Sequence, residues 1–309
     1  MIYTFTLTPS LDYTVYLPGF SPGKLNRSEE VYYYPGGKGI NVSRVLKRLG
    51  TDSTAVGLAG GFTGDYLEQF LQGEGIRTEL IRTDSVTRIN VKIKSDQETE
   101  LNGPGPEITE QERRQLLDRV RRMERGDWLV LAGRIPDSAG TDFAVELAGI
   151  CRDIGIRLAV DTSGPALKQL AGMQPELMKP NEHELGELFG TVIETKEDAL
   201  HYARLLVGQG VRHVIVSMGG EGALYVSDTM EAEAQAPEVN VVNTVGAGDS
   251  LVSGFIAALE SGKGAEHAFR YGVATGSATV SRSDLCRKED ADALAEQVTV
   301  TRLNGGENR

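Results

Sequence analysis

From residue 107 onward the chain repeats one pattern: a short run that is apolar at nearly every position, then a segment with helical spacing. EITEQERRQLLDRVRRMERG (107–126) opens on a capping box, with Thr109 as N-cap and Glu112 three residues later. Its Leu116, Leu117, Val120 and Met123 form a helical stripe that Gly126 ends. WLVLA (128–132) follows as a strand with no polar position. Then come a helix around 140–153, strands at 156–163 and 176–181, and a helix at about 195–209 boxed by Thr195 and Asp198. The apolar run VRHVIVSMG (211–219) is a further strand. A strand apolar on both faces must be covered on both, and a helix between two such strands returns the second parallel to the first. The pattern predicts an α/β fold, a doubly wound and mostly parallel sheet flanked by helices.

Two segments break the rhythm. Residues 12–20 with 27–35, and residues 88–101, alternate with period two and are rich in Tyr, Val and Thr. That pattern predicts antiparallel strands with one exposed face. The expected organisation is a main α/β domain made of 1–11, 35–86 and 103–309, with a small antiparallel β lid made of 12–34 and 87–102. Tyr13, Val15, Tyr32 and Tyr34 would leave apolar surface on that lid, which predicts a homodimer closed lid to lid. The last residues, 302–309, are expected to fray.

Charge and composition exclude several classes. With 32 basic against 44 acidic residues the net charge is −12, and no basic stripe is visible, so nucleic acid is not an expected partner. No stretch approaches 18 consecutive apolar residues, so no membrane span is expected. The N-terminus lacks a basic region before its first strand, which predicts a cytoplasmic protein. Two cysteines and four scattered histidines make neither a disulfide framework nor a zinc site.

Glycine gathers where the α/β pattern places strand-to-helix turns. NTVGAGDSLVSGF (243–255) puts Gly246, Ala247 and Gly248 just before a helix that begins with Asp249. Small residues there let backbone N–H groups converge on an anion, aided by the helix dipole. The segment is not GxGxxG, since Leu251 stands at the third position, and it is not a P-loop. A nicotinamide dehydrogenase is disfavoured by the same test. YYYPGGKGINVSRVLKRLG (32–50) places Lys38 and Asn41 on the first turn of another helix. GLAGGFTGD (57–65) is a third such turn, and VSMGGEGALYV (216–226) reads as a hairpin or as backbone lying against a flat ligand.

Taken in order, Gly36-Gly37-Lys38-Gly39-Ile40-Asn41, Asn181-Glu182-His183-Glu184 and Asn243-Thr244-Val245-Gly246-Ala247-Gly248-Asp249 resemble the signatures of the ribokinase-like (PfkB) carbohydrate kinases, over essentially the whole chain. The resemblance implies ATP and Mg2+ and a small sugar phosphate as partners. It implies Asp249 as the base for a sugar hydroxyl, with Gly246, Ala247 and Gly248 as the anion hole. Glu184 with Asn181 would organise Mg2+. Lys179, Asn181, Ser217, Gly219, Gly222 and Thr244 would lie against the nucleotide. Asp12, Gly37 and Asn41 would meet the sugar, and Lys38, Arg88 and Arg134 its existing phosphate.

TRINVKI (87–93) and ETELNGPGP (98–106) are most similar to members acting on fructose 1-phosphate, which implies transfer to its C6 hydroxyl. Tagatose 6-phosphate and fructose 6-phosphate are the alternatives within the family. A non-catalytic sugar-phosphate sensor is the alternative of a different class, opposed by the intact Asp249, Glu184 and Gly246–Gly248. Four places depart from the family pattern: Asn243 for Asp, Thr8 for Asn, AGRIP (132–136), which introduces Arg134, and SRSDLC (281–286), poorer in small residues than the usual adenine-side loop.

Overall fold

A computed structural model describes residues 1–303; the end expected to fray lies outside the described residues from 304 onward. In chain order the strands are β1 (Ile2–Thr6), β2 (Ser10–Tyr16), β3 (Glu30–Gly36), β4 (Thr54–Ala59), β5 (Arg77–Arg82), β6 (Arg88–Lys94) and β7 (Thr99–Asn102). They continue as β8 (Trp128–Ala132), β9 (Arg157–Asp161), β10 (Leu177–Met178), β11 (His213–Ser217), β12 (Ala223–Ser227), β13 (Glu231–Ala234) and β14 (Val300–Arg302). The helices are α1 (Lys38–Arg48), α2 (Gly61–Gly73), α3 (Glu110–Arg121), α4 (Phe143–Ile154), α5 (Pro165–Ala171), α6 (Glu182–Phe189), α7 (Lys196–Gly208), α8 (Ala247–Glu260), α9 (Ala265–Val280) and α10 (Lys288–Ala295).

Ten strands form the main sheet in the order β14-β13-β12-β11-β10-β9-β8-β1-β4-β5. From β11 to β5 every neighbour is parallel, and β12, β13 and β14 add an antiparallel edge. β4 and β8 are buried at every position because helices cover both faces. One apolar cluster joins α3, α4, α5, α6 and α7 to one face, and a second joins α1, α8, α9 and α10 to the other. Both expected capping boxes form: Thr109 with Glu112 opens α3, and Thr195 with Asp198 opens α7. VSMGGEGALYV is the β11–β12 hairpin.

The small sheet has the order β3-β2-β6-β7 and leaves the main sheet after the C-terminal ends of β1 and β5. Its outer pairs are antiparallel as expected, but the central β2–β6 pair runs parallel. The two hairpins enter from separate strands of one parallel sheet, so their first strands arrive in the same sense. Both hairpins therefore overhang the strand ends where parallel sheets place their ligands.

The faces of this sheet correct one expectation. Tyr13 pairs with Tyr33, and their rings stack at 5.0 Å on one face. Tyr32 and Tyr34 stack at 6.0 Å on the other, where the Arg44 guanidinium lies 5.8 Å from the Tyr34 ring. In this register, with period two along each strand, the four residues cannot share a face. Tyr13 and Val15 belong with Val31, Tyr33 and Ile89, and Tyr34 turns toward the body.

Candidate active site

Gly246 is the N-cap of α8 and sits at φ 82°, a left-handed conformation that suits glycine. A Cβ there would also lie 2.6 Å from the Leu285 side chain. Asp284 holds that leucine in place, since its carboxylate binds Arg44 at 2.9 Å and Arg48 at 2.6 Å on α1. The first turn of α8 thus presents its N–H groups from a fixed position.

Beside that turn opens a cleft of about 690 Å³. Asn181, Ser217, Gly219, Gly222, Thr244 and Gly248 line one part of it, and Val241, Leu251, Val273 and Val280 line another. A slot with glycine backbone on one wall and aliphatic side chains on the other fits a flat heterocycle, and its polar end meets the α8 N-terminus.

At that end lies a cluster of buried charge. Asp161, the last residue of β9, is 1% exposed. Its Oδ1 accepts from the Lys38 Nζ at 2.9 Å and lies 3.4 Å from the Lys179 Nζ, while its Oδ2 has no partner. Burial pushes the Asp161 carboxyl up, but Lys179 and Lys38 outweigh it and hold the group below the usual carboxylate range. Burial likewise disfavours the Lys38 ammonium, and the charges of Asp161, Asp249 and Glu184 more than offset this, so it stays protonated. A Cβ on Gly248 would lie 3.1 Å from the Lys179 Nζ, which places that ammonium against the α8 turn.

Asp249, on the first turn of α8, is 4% exposed. Burial first, and then the charge of Asp161, push its carboxyl up to about 6, against the opposing pull of Lys38, Asn41 and Lys179. The Asn41 amide donates to its Oδ2 at 2.8 Å and fixes the carboxylate. A carboxylate so placed can take a proton near neutral pH.

Under the small sheet, Asp12 is held by three donors. Its Oδ1 accepts from the Ser10 Oγ at 2.7 Å and the Asn90 Nδ2 at 3.1 Å, and its Oδ2 lies 3.1 Å from the Lys92 Nζ. Asp12, Asn41 and Lys92 line a small cavity between the small sheet, α1 and the loops at Asn243–Val245 and Ser283–Leu285. Gly36 packs against the Asp12 carboxylate: a Cβ there would fall 2.4 Å from the Asp12 Oδ1. Gly37 is the N-cap of α1. Arg88 donates to the carbonyls of Gly103 at 3.3 Å and Thr8 at 3.2 Å, and its Nε is buried without a partner. Burial pulls its pKa down, and so does the nearby Arg134 guanidinium. Arg134 itself is exposed, 3.7 Å from Asp137.

Asn181 and Glu184 cap α6 reciprocally. The Glu184 carboxylate accepts from the Asn181 N–H at 2.9 Å, and the Asn181 Oδ1 accepts from the Glu184 N–H at 2.8 Å. Asn181 therefore orients Glu184, leaving one carboxylate oxygen for other work. Among the described residues no group of three or more His, Cys, Asp or Glu gathers into a metal site.

The pfkB family carbohydrate kinase model matches residues 6–291 of this sequence. The chain belongs to that family. This kinase is 47% identical to the 1-phosphofructokinase of Bacillus subtilis, over 98% of its own length and all of the relative's. It is 34% identical to the D-tagatose-1-phosphate kinase of Bacillus licheniformis, over 98% of its length and all of the relative's. A putative phosphofructokinase from Staphylococcus aureus superposes with a TM-score of 0.88 at 42% identity, covering 99% of this kinase and all of that chain.

The kinase brings several of the expected residues to one place. Asp249 and Asn41 meet in a hydrogen bond, and Lys38 pairs with Asp161 close to them. Asp161, Lys92 and Asn90 are the polar residues that the sequence did not single out. The acid that ends an otherwise apolar strand, LAVD, is the one signal that could have drawn attention to Asp161.

Proposed function

We propose that this kinase transfers the γ-phosphoryl group of ATP to the C6 hydroxyl of fructose 1-phosphate in the cytoplasm. The observation that carries the reading is Asp249, buried on the first turn of α8 next to Gly248, which lines the large cleft, and bonded to Asn41, which lines the small cavity, with its carboxyl pushed up to about 6. Asp249 accepts the C6 hydroxyl proton, and the N–H groups of Gly246, Ala247 and Gly248 receive the phosphoryl oxygens. Lys38 and Lys179 add positive charge at that point. Phosphoryl transfer needs positioning and charge stabilisation, and these groups supply both.

Mg2+ fits the second Glu184 oxygen, a hard donor best suited to an ion that keeps several waters. When bound, it would neutralise charge on the nucleotide phosphates. Asp12 accepts sugar hydroxyls. Arg88, with Arg134 beside it, is the cationic seat for the C1 phosphate that a chain of net charge −12 must supply locally. The substrate itself is supported by the B. subtilis relative. D-Tagatose 1-phosphate, which keeps the same C1 phosphate, is the second reading on the B. licheniformis relative.

A coupled ADP-release assay tests the reaction. Fructose 1-phosphate is expected to exceed fructose 6-phosphate, tagatose 6-phosphate, tagatose 1-phosphate and free fructose in kcat/KM. A higher kcat/KM for tagatose 1-phosphate selects the second reading. Tight sugar-phosphate binding without turnover selects a sensor. Gly36→Ala drives a methyl into Asp12 and is expected to lower kcat/KM for the sugar by about 10²-fold, with the KM for ATP unchanged.

A lid-to-lid homodimer belongs to the same reading. Val31, Tyr33 and Ile89 are exposed on the outward face of the small sheet, each by more than a third. Tyr33→Glu is expected to turn a dimer into a monomer in equilibrium sedimentation at micromolar concentration, and a wild-type monomer excludes the dimer.

A further inference from the structure

Strand β6 is amphipathic in the unusual sense. Its apolar Ile89 points outward and is 39% exposed, while the alternate positions Arg88, Asn90, Lys92 and Lys94 are polar and turn toward the body. Asn90 and Lys92 are each only 8% exposed. Burying an amide and an ammonium is costly unless they are paired. Their pairing is incomplete: Asn90 donates to Asp12 and Lys92 forms an ion pair with it, yet the Asn90 Oδ1 is buried with no partner. An ammonium has three donors, and contact with one Asp12 oxygen occupies one of them.

Fructose explains what such a pair is for. The furanose ring is nearly twofold symmetric: turning it over exchanges C3 with C4 and the C1 arm with the C6 arm. Fructose 1-phosphate and fructose 6-phosphate can therefore both place a phosphate at Arg88 and a free hydroxymethyl at Asp249. What distinguishes the two poses is the anomeric hydroxyl on C2. It lies next to the phosphate-bearing arm in fructose 1-phosphate and next to the reacting arm in fructose 6-phosphate. Cations that grip the phosphate cannot tell the two apart. The distinction needs a polar group one step from the phosphate seat. Asn90 follows Arg88 by two residues on the same face, about 6.6 Å along the strand.

The geometry points to Asn90 and Lys92 as the specificity residues of this kinase, binding the anomeric hydroxyl when it lies beside the phosphate arm. The Asn90 Oδ1 accepts the hydroxyl proton and the Lys92 Nζ donates to the hydroxyl oxygen, while Asp12 holds both side chains in register. A site built around a hydroxyl discriminates strongly against a ligand lacking it, because its buried groups are left unpaired. The inference rests on the proposed fructose 1-phosphate reaction.

Two measurements test it. The first needs no variant: 2,5-anhydro-D-mannitol 1-phosphate has the same phosphate, ring and free hydroxymethyl but no anomeric hydroxyl. The wild type is expected to use it with kcat/KM lower than for fructose 1-phosphate by about 10- to 100-fold. Equal kcat/KM for the two overturns the proposal. The second compares Asn90→Leu and Lys92→Met. Each is expected to lower the fructose 1-phosphate to fructose 6-phosphate preference by about 10-fold or more, and to erase the difference between fructose 1-phosphate and the anhydro sugar. Variants that weaken all three substrates equally overturn the proposal while leaving the reaction intact. A wild type that does not prefer fructose 1-phosphate over fructose 6-phosphate overturns the reaction reading, and this proposal with it.

Discussion

Replacing Asp249 by Asn is expected to lower kcat/KM for the sugar phosphate by about 10²–10⁴-fold while making the folded protein more stable at pH 7. The loss follows from removing the proposed proton acceptor at the α8 turn. The gain follows from linkage. Burial and the charge of Asp161 push the native Asp249 carboxyl up to about 6 from the usual 3.8, so between these values the folded state holds more protons than the unfolded one. Stability from this site is therefore lost as pH rises through that window, and at pH 7 the buried charge costs about 1–3 kcal/mol. Asn at the same position has no charge to bury and can still meet the Asn41 side chain. Denaturant titrations of both proteins at pH 4.5 and pH 7 check this: the advantage of the variant should grow with pH. The wild-type pH–rate profile should lose activity on the acid side near pH 6. A variant less stable than wild type at pH 7 would show that the carboxylate is paired better than its burial implies.

Asp161→Ala is expected to cost about 3–5 kcal/mol of stability at pH 7, because it strips the shared carboxylate from two ammonium groups, one of them, Lys179, nearly fully buried. A second consequence is sharper. The charge of Asp161 is, after burial, the strongest influence raising Asp249, so its removal should lower the Asp249 pKa. The acid limb of the pH–rate profile then moves to lower pH even as kcat falls. Adding Lys38→Met to Asp161→Ala should recover part of the lost stability, since one uncompensated cation is removed. A double variant whose loss is the sum of the two single losses would mean that Lys38 and Asp161 do not act as a pair. An unmoved acid limb in the single variant would sink the electrostatic coupling.

The elements that were legible in the sequence are those written in local chemistry. Thr109 with Glu112 and Thr195 with Asp198 mark helix starts because a capping box closes within four residues. WLVLA announces a central strand because no polar side chain could survive there. The glycines before Asp249 announce a turn with exposed N–H groups. Asn181 and Glu184 form one further local box, so their motif could be located, but the division of labour within it could not be read from spacing.

What the sequence by itself determined is the periodicity: which segments are helix or strand, that the sheet is covered on both faces, and where the glycine turn before α8 lies. The tertiary structure alone decided the electrostatics of the site. Lys38 meets Asp161 across 123 residues, and Asn41 meets Asp249 across 208. The carboxyl pushed up to about 6 at Asp249 exists only because folding buries it beside Asp161. The lid shows the same limit. Period two aligns Tyr13 with Val15 and Tyr32 with Tyr34, but only the register that pairs Tyr13 with Tyr33 puts the two sets on opposite faces, and which face meets the body depends on how β2 and β6 leave the parallel sheet. Periodicity is a property of neighbours in the chain, whereas the field at a carboxylate is set by charges that only packing brings close.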